Sequence, residues 1–171
     1  MVSRTLRDQV RVIYDFRCGY CGVSEAESGG ELDVDHFRPL LHGGADELEN
    51  LVYACVTCNR FKGDYWPVTG AGLELMLLHP QHDDLSAHLT LMSDGRLSGL
   101  MPRGWFHIQR LHLNREPLVA LRRRREMDRQ LQQMLADSQH AQAALRAYSR
   151  RLEQEIATLL EAIARLTAGS E

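Results

Sequence analysis

The 171 residues predict an α+β fold in which a small strand, loop, strand, helix unit is stapled by a four-cysteine zinc site and followed by a long helix or helical hairpin. Three observations predict it. Two Cys-x-x-Cys turns, Cys18 to Cys21 and Cys55 to Cys58, use every cysteine of the chain. Between them, Glu31-Leu-Asp-Val-Asp-His alternates polar and apolar residues as a half-buried strand does. From residue 118 to 167 there is neither proline nor glycine, and apolar residues recur at spacings of three and four.

The elements follow in order. From Ser3, Leu6, Val10 and Ile13 are spaced by four and three, with Thr5 and Asp8 in a capping-box relation, which predicts an amphipathic opening helix. It delivers the chain to the first cysteine pair. Residues 23–30 read as a Ser/Glu/Gly loop. The strand that follows ends at His36, because Leu32, Val34 and Phe37 cannot share one face. Gly43-Gly44 marks a loop, Leu51-Val-Tyr-Ala a second strand, and residues 57–63 a short helix ended by glycine.

After Pro67 the pattern is looser. Residues 73–78 and 88–92 are short apolar segments, and Ser93-Asp94-Gly95-Arg96 has hairpin-turn composition, so residues 67–116 read as an irregular extension with a small β-hairpin. In residues 117–171, Leu131, Leu135, Leu145, Tyr148, Leu152, Ile156, Leu159, Ile163 and Leu166 form a helical stripe. Residues 137–140 are its weakest-patterned point and the place for a kink or turn. The expected division is 1–66, 67–116 and 117–171. A stripe this far along needs a partner surface, either a homodimer or a larger partner protein.

Each Cys-x-x-Cys places two sulfurs on one tight turn, and two such turns supply the four thiolates of a closed tetrahedral zinc site. Cys18, Cys21, Cys55 and Cys58 are therefore the expected ligands of a structural Zn²⁺. The alternatives are two disulfides or four free thiols, and disulfides need an oxidising compartment. The opening Met-Val-Ser-Arg-Thr-Leu-Arg-Asp lacks the apolar segment of a secretory signal, so a reducing cytoplasm is expected. No run reaches the roughly 18 apolar residues that span a bilayer.

A net charge of −3 excludes a nucleic-acid binder that works by bulk basicity. Residues 67–125 nevertheless carry 8 Arg against 5 Asp and Glu. Arg103, Arg110, Arg115 and Arg122 to Arg125 read either as a phosphate-contacting surface or as a solvated face.

Phosphodiester hydrolysis with one metal ion needs ligands that leave room for a phosphate oxygen, and a base that holds an unprotonated nitrogen near neutrality. Asp35 and Asn59 offer oxygens suited to Mg²⁺ or Mn²⁺. His36, one residue along an extended chain, faces the other side and is left to act as general base. An ordinary imidazole, with a pKa of about 6.5, is mostly neutral at cellular pH. Lys62 sits one helical turn after Asn59, and with Arg60, Arg122 and Arg123 is a candidate for substrate phosphates. Lys62 reads equally as a solvent-facing lysine. His42 reads as a loop histidine, Tyr20 and Phe37 as packing, and His79, His82 and His88 match no tight ligand spacing.

Cys18-x-x-Cys21, Asp35-His36, Asn50-Leu51 and Cys55-x-x-Cys58-Asn59-x-x-Lys62-Gly63 together resemble the zinc-knuckle branch of the HNH, or ββα-metal, endonucleases, over roughly residues 10–66. The resemblance implies that His36 activates water, that Asp35 and Asn59 hold the catalytic divalent ion, and that Asn50 fixes the loop that aims His36. Many members have a second histidine where this chain has Asn59, which favours oxygen-preferring ions. Trp66-Pro67, His79-Pro80 to Asp83-Asp84, Asp94-Gly95 and Leu111-His-Leu-Asn-Arg115 with Leu118 and Arg122 resemble the extension of a subset associated with bacterial anti-phage systems. That resemblance implies, for some members, an ATPase partner. The leading reading is a metal-dependent endonuclease that nicks or cuts DNA. The alternative is a non-catalytic zinc-stapled module for nucleic-acid binding or assembly, which has no need for Asp35, His36 and Asn59 together.

Overall fold

The computed structural model describes residues 2–168, with side chains to residue 165, so Leu166 of the apolar stripe lies outside the described side chains. Helix α1 (Arg4–Ile13) buries Val10. Its N-terminus is capped by Ser3, whose Oγ accepts the Leu6 N–H at 3.2 Å. Thr5, expected as the cap, is already inside the first turn. The capping box lies further on. In residues 23–30, expected to be a plain loop, Ser24 and Glu27 cap each other reciprocally and start the short helix α2 (Glu25–Ser28). Glu25 accepts two bonds from Arg11, at 2.5 and 2.7 Å, which tie α2 to α1.

Strand β1 (Asp33–His36) pairs antiparallel with β2 (Leu51–Ala54), with Asp35 opposite Val52 and His36 opposite Leu51. Every residue of β2 is buried, so its unbroken apolar run has core on both faces. Helix α3 (Val56–Lys62) follows at once, with Cys55 as its N-cap and Gly63, at φ 52°, ending it. The strand, loop, strand, helix order expected between the cysteine pairs is present.

Residues 67–116 are more regular than expected. Asp84 caps α4 (Leu85–His88), β3 (Leu89–Leu91) pairs with β4 (Leu97–Gly99), and α5 (Pro102–Arg110) begins with proline in its first turn, where the missing N–H has no helical partner to lose. The packing does not follow the expected breaks after residues 66 and 116. Leu77, Ile108, Leu111, Leu113 and Leu118 join Val10, Leu32, Val52 and Tyr53 in one buried cluster. A domain of about sixty residues buries only about 60% of the surface its unfolded chain exposes, and the extension enlarges the core. The chain divides instead into units Met1–Arg123 and Arg124–Glu171.

Helix α6 (Glu116–Ala168) runs 53 residues without a break. The turn expected at residues 137–140 is absent. Asp, Ser and His there cost only tenths of a kcal/mol in helix propensity, and no glycine or proline interrupts the ladder.

Candidate active site and zinc knuckle

The first cysteine pair lies in the turn after α1 and the second on the first turn of α3. The four sulfurs approach within 4.8 Å of one another, and none is in a disulfide. Cys21 Sγ and Cys55 Sγ are 3.8 Å apart. A tetrahedron with Zn–S bonds of about 2.3 Å has edges of about 3.8 Å, so the donor set fits zinc. No other cluster of three or more metal-ligating His, Cys, Asp or Glu groups occurs among the described residues, His79, His82 and His88 included. Beside the thiols, Arg115 Nη2 lies 3.4 Å from Cys58 Sγ and 3.9 Å from Cys55 Sγ. A tetrathiolate Zn²⁺ site carries two net negative charges, and this guanidinium offsets part of them.

Asp35, His36 and Asn59 line one cleft of about 370 Å³, together with Lys62, Gly63 and Asp64. Asp35 is buried. Its Oδ2 accepts the Tyr20 O–H at 2.6 Å and its Oδ1 the Lys62 ammonium at 3.1 Å. Burial pushes the Asp35 carboxyl above the usual carboxylate range, while Lys62 and the Tyr20 hydroxyl pull it back. Each bonded oxygen keeps a second lone pair. Asp35 and Asn59 bring a carboxylate and a carboxamide oxygen to one cleft, donors of the kind taken by a hard ion that has few protein ligands and keeps its waters.

His36 occupies the end of β1, where the ladder gives way to the loop between the strands. Its Nε2 is 2.6 Å from Asp46 Oδ1. An ionised carboxylate only accepts, so that bond places the proton on Nε2 and the lone pair on Nδ1. Asn50 closes the loop. Its Oδ1 accepts the Arg38 N–H at 2.8 Å, and its Nδ2 donates to the carbonyls of Arg38 at 3.1 Å and Ala45 at 2.9 Å. Gly44 is obligatory here, since a Cβ would sit 1.8 Å from the Arg38 carbonyl oxygen.

The basic candidates are placed differently from expectation. Lys62 is fully buried and donates to Asp35, to the His36 carbonyl at 2.6 Å and to the Gly63 carbonyl at 3.3 Å. An ammonium enclosed in this way is an internal strut. Arg103 is bonded to Asp83 and to the Met76 and Leu77 carbonyls, Arg110 to the Lys62 carbonyl, and Arg122 to the carbonyls of Gly95 and Leu113. Arg60 and Arg123 are exposed. Sequence reasoning passed over Tyr20 as packing and missed Asp46 and Asp64 altogether. Their spacing from His36 and Asp35 carries no periodic signal; the path of the loop after β1 brings in Asp46, and the turn that ends α3 brings in Asp64.

Residues 18–65 match the family model described as HNH endonuclease. The segment is an HNH domain. It contains both cysteine pairs, β1, β2, α3 and the whole cleft lining. The chain is also 27% identical over 120 residues, 54% of this chain, to the Septu protein PtuB of Bacillus mycoides (strain KBAB4), of whose length it covers 40%. No solved structure matches. No helix among the described residues is long and apolar enough to cross a membrane.

Proposed function

We propose that the HNH domain is a divalent-metal-dependent endonuclease that hydrolyses DNA phosphodiester bonds. The observation that carries this reading is the convergence of Asp35, His36 and Asn59 on one cleft, with His36 tethered through Nε2 to Asp46 so that Nδ1 is its acceptor. Asp35 and Asn59 would hold Mg²⁺ or Mn²⁺, which supplies charge stabilisation for the leaving 3′ oxygen. His36 takes the proton of the attacking water at Nδ1, and Asp46 stabilises the imidazolium that results. Asn50 keeps the loop fixed so that the ring does not swing. Arg60, exposed on the same helix as Asn59, is the cation best placed to meet a substrate phosphate. Arg122 is half-buried and serves the fold.

In its biological role the chain acts as an anti-phage effector in a reducing cytoplasm, beside a partner protein such as an ATPase. The extension motifs support that role, and the relative named PtuB is consistent with it. Plasmid cleavage across a divalent-ion series tests the activity. His36→Ala should lower the rate about 10²–10⁴-fold with zinc content and melting temperature unchanged. Cleavage by that variant at the wild-type rate refutes the assignment.

A further inference from the structure

The unit beyond Arg124 presents a stripe of exposed apolar residues, Leu145, Tyr148, Leu152, Ile156 and Leu159, on one face of α6. Their positions are symmetric about Leu152, at offsets of minus seven, minus four, zero, plus four and plus seven. The nearest charges on either side of that residue are segregated by sign. Arg146, Arg150 and Arg151 precede it, whereas Glu153, Glu155 and Glu161 follow it.

We propose that this helix pairs with the same helix of a second copy of the chain, antiparallel, with the two-fold axis at Leu152. In that arrangement residue 152 plus n of one helix is level with residue 152 minus n of the other. Leu145 then meets Leu159, Tyr148 meets Ile156, and Leu152 meets itself, so the stretch from Leu145 to Leu159 is covered. Arg151 comes level with Glu153, and the basic segment of each helix lies alongside the acidic segment of the other. A parallel pair would match the apolar residues equally well. It would set the three arginines of one helix beside those of the other and the glutamates likewise, which is repulsive. Charge therefore decides the direction, and apolar burial supplies the association. Leu131, Leu135 and Ile163 lie outside the symmetric stretch and take no part in the pairing.

The pairing does not depend on the nuclease reading, and its test needs no activity. Light scattering on the full chain at tens of micromolar should give twice the monomer mass of 19.5 kDa. Ile156→Asp should return the monomer mass with zinc content unchanged. Direction is read by replacing Leu145 with p-benzoyl-phenylalanine in an equal mixture of ¹⁵N-labelled and unlabelled chains. Photo-crosslinks between unlike chains should map to residues around Leu159. A monomer mass for the native chain, a dimer that survives Ile156→Asp, or crosslinks that map around residue 145 of the other chain would each overturn the proposal.

Discussion

The Lys62 ammonium lies 3.1 Å from Asp35 Oδ1 and 2.6 Å from the His36 carbonyl oxygen, so one buried cation at the end of α3 holds both residues of the Asp-His pair. Position 62 thereby joins the helix that carries Asn59 to the strand that carries Asp35 and His36. Removing one partner of a buried ion pair leaves the other charge unpaired in a low-dielectric setting, at a cost of about 3–5 kcal/mol. Lys62→Ala should therefore lower unfolding free energy by about that amount, read from urea denaturation. A variant as stable as the native chain would return Lys62 to the surface.

Asp46 bonds His36 and is not among the residues that line the cleft. Asp46→Asn preserves an acceptor oxygen but removes the charge that stabilises the imidazolium, so kcat should fall at least about tenfold. KM, zinc content and melting temperature should stay at native values. A fall in melting temperature equal to that of a loop-breaking variant such as Asn50→Ala would show that the bond serves the fold alone.

Arg115 reaches the four-cysteine cluster with its guanidinium. Its contacts with Cys58 and Cys55 are those of an outer-shell partner, whose loss typically weakens metal binding about 10–100-fold. Arg115→Gln should release zinc to a chromophoric chelator at correspondingly lower chelator concentration. Cys58→Ser should lose the metal and much of the fold together, because binding and folding are coupled in small zinc sites.

Acid should destabilise the first unit through His107. This ring is buried, accepts the Leu78 N–H at Nδ1, and has its pKa pushed down to about 4 by burial, with Arg103 adding to the effect. A depressed histidine takes up its proton more readily unfolded. The stability it contributes is complete above the unfolded value near 6.5 and is lost as pH falls toward 4. Between pH 7.5 and 5 that loss amounts to about 2 kcal/mol. His107→Gln removes the titration and should flatten the pH dependence of unfolding by a similar amount, whereas an unchanged slope would place the acid sensitivity elsewhere, zinc release included.

The sequence by itself determined the four-cysteine cluster, the two strands, the helix that follows them, and the identity of Asp35, His36, Asn50 and Asn59 as site candidates. These are local matters. Two Cys-x-x-Cys turns, one alternating strand, one buried apolar run and one terminating glycine each have their cause within a few residues, and four thiolates that require one ion bring the two turns together. The long helix was legible as well, though whether it turned back near residue 138 was left open by a pattern that merely weakens there. Tertiary structure alone decided what the polar groups do. Lys62 and Arg115 read as exposed cations because their sequence neighbours are polar, yet both are enclosed by elements distant in the chain, Lys62 against β1 and Arg115 against the cysteines of α3. Asp46 and Tyr20 gained their roles in the same way, from the path of the loop after β1 and from the turn after α1, since a hydrogen bond between residues ten or fifteen apart leaves no period in the sequence.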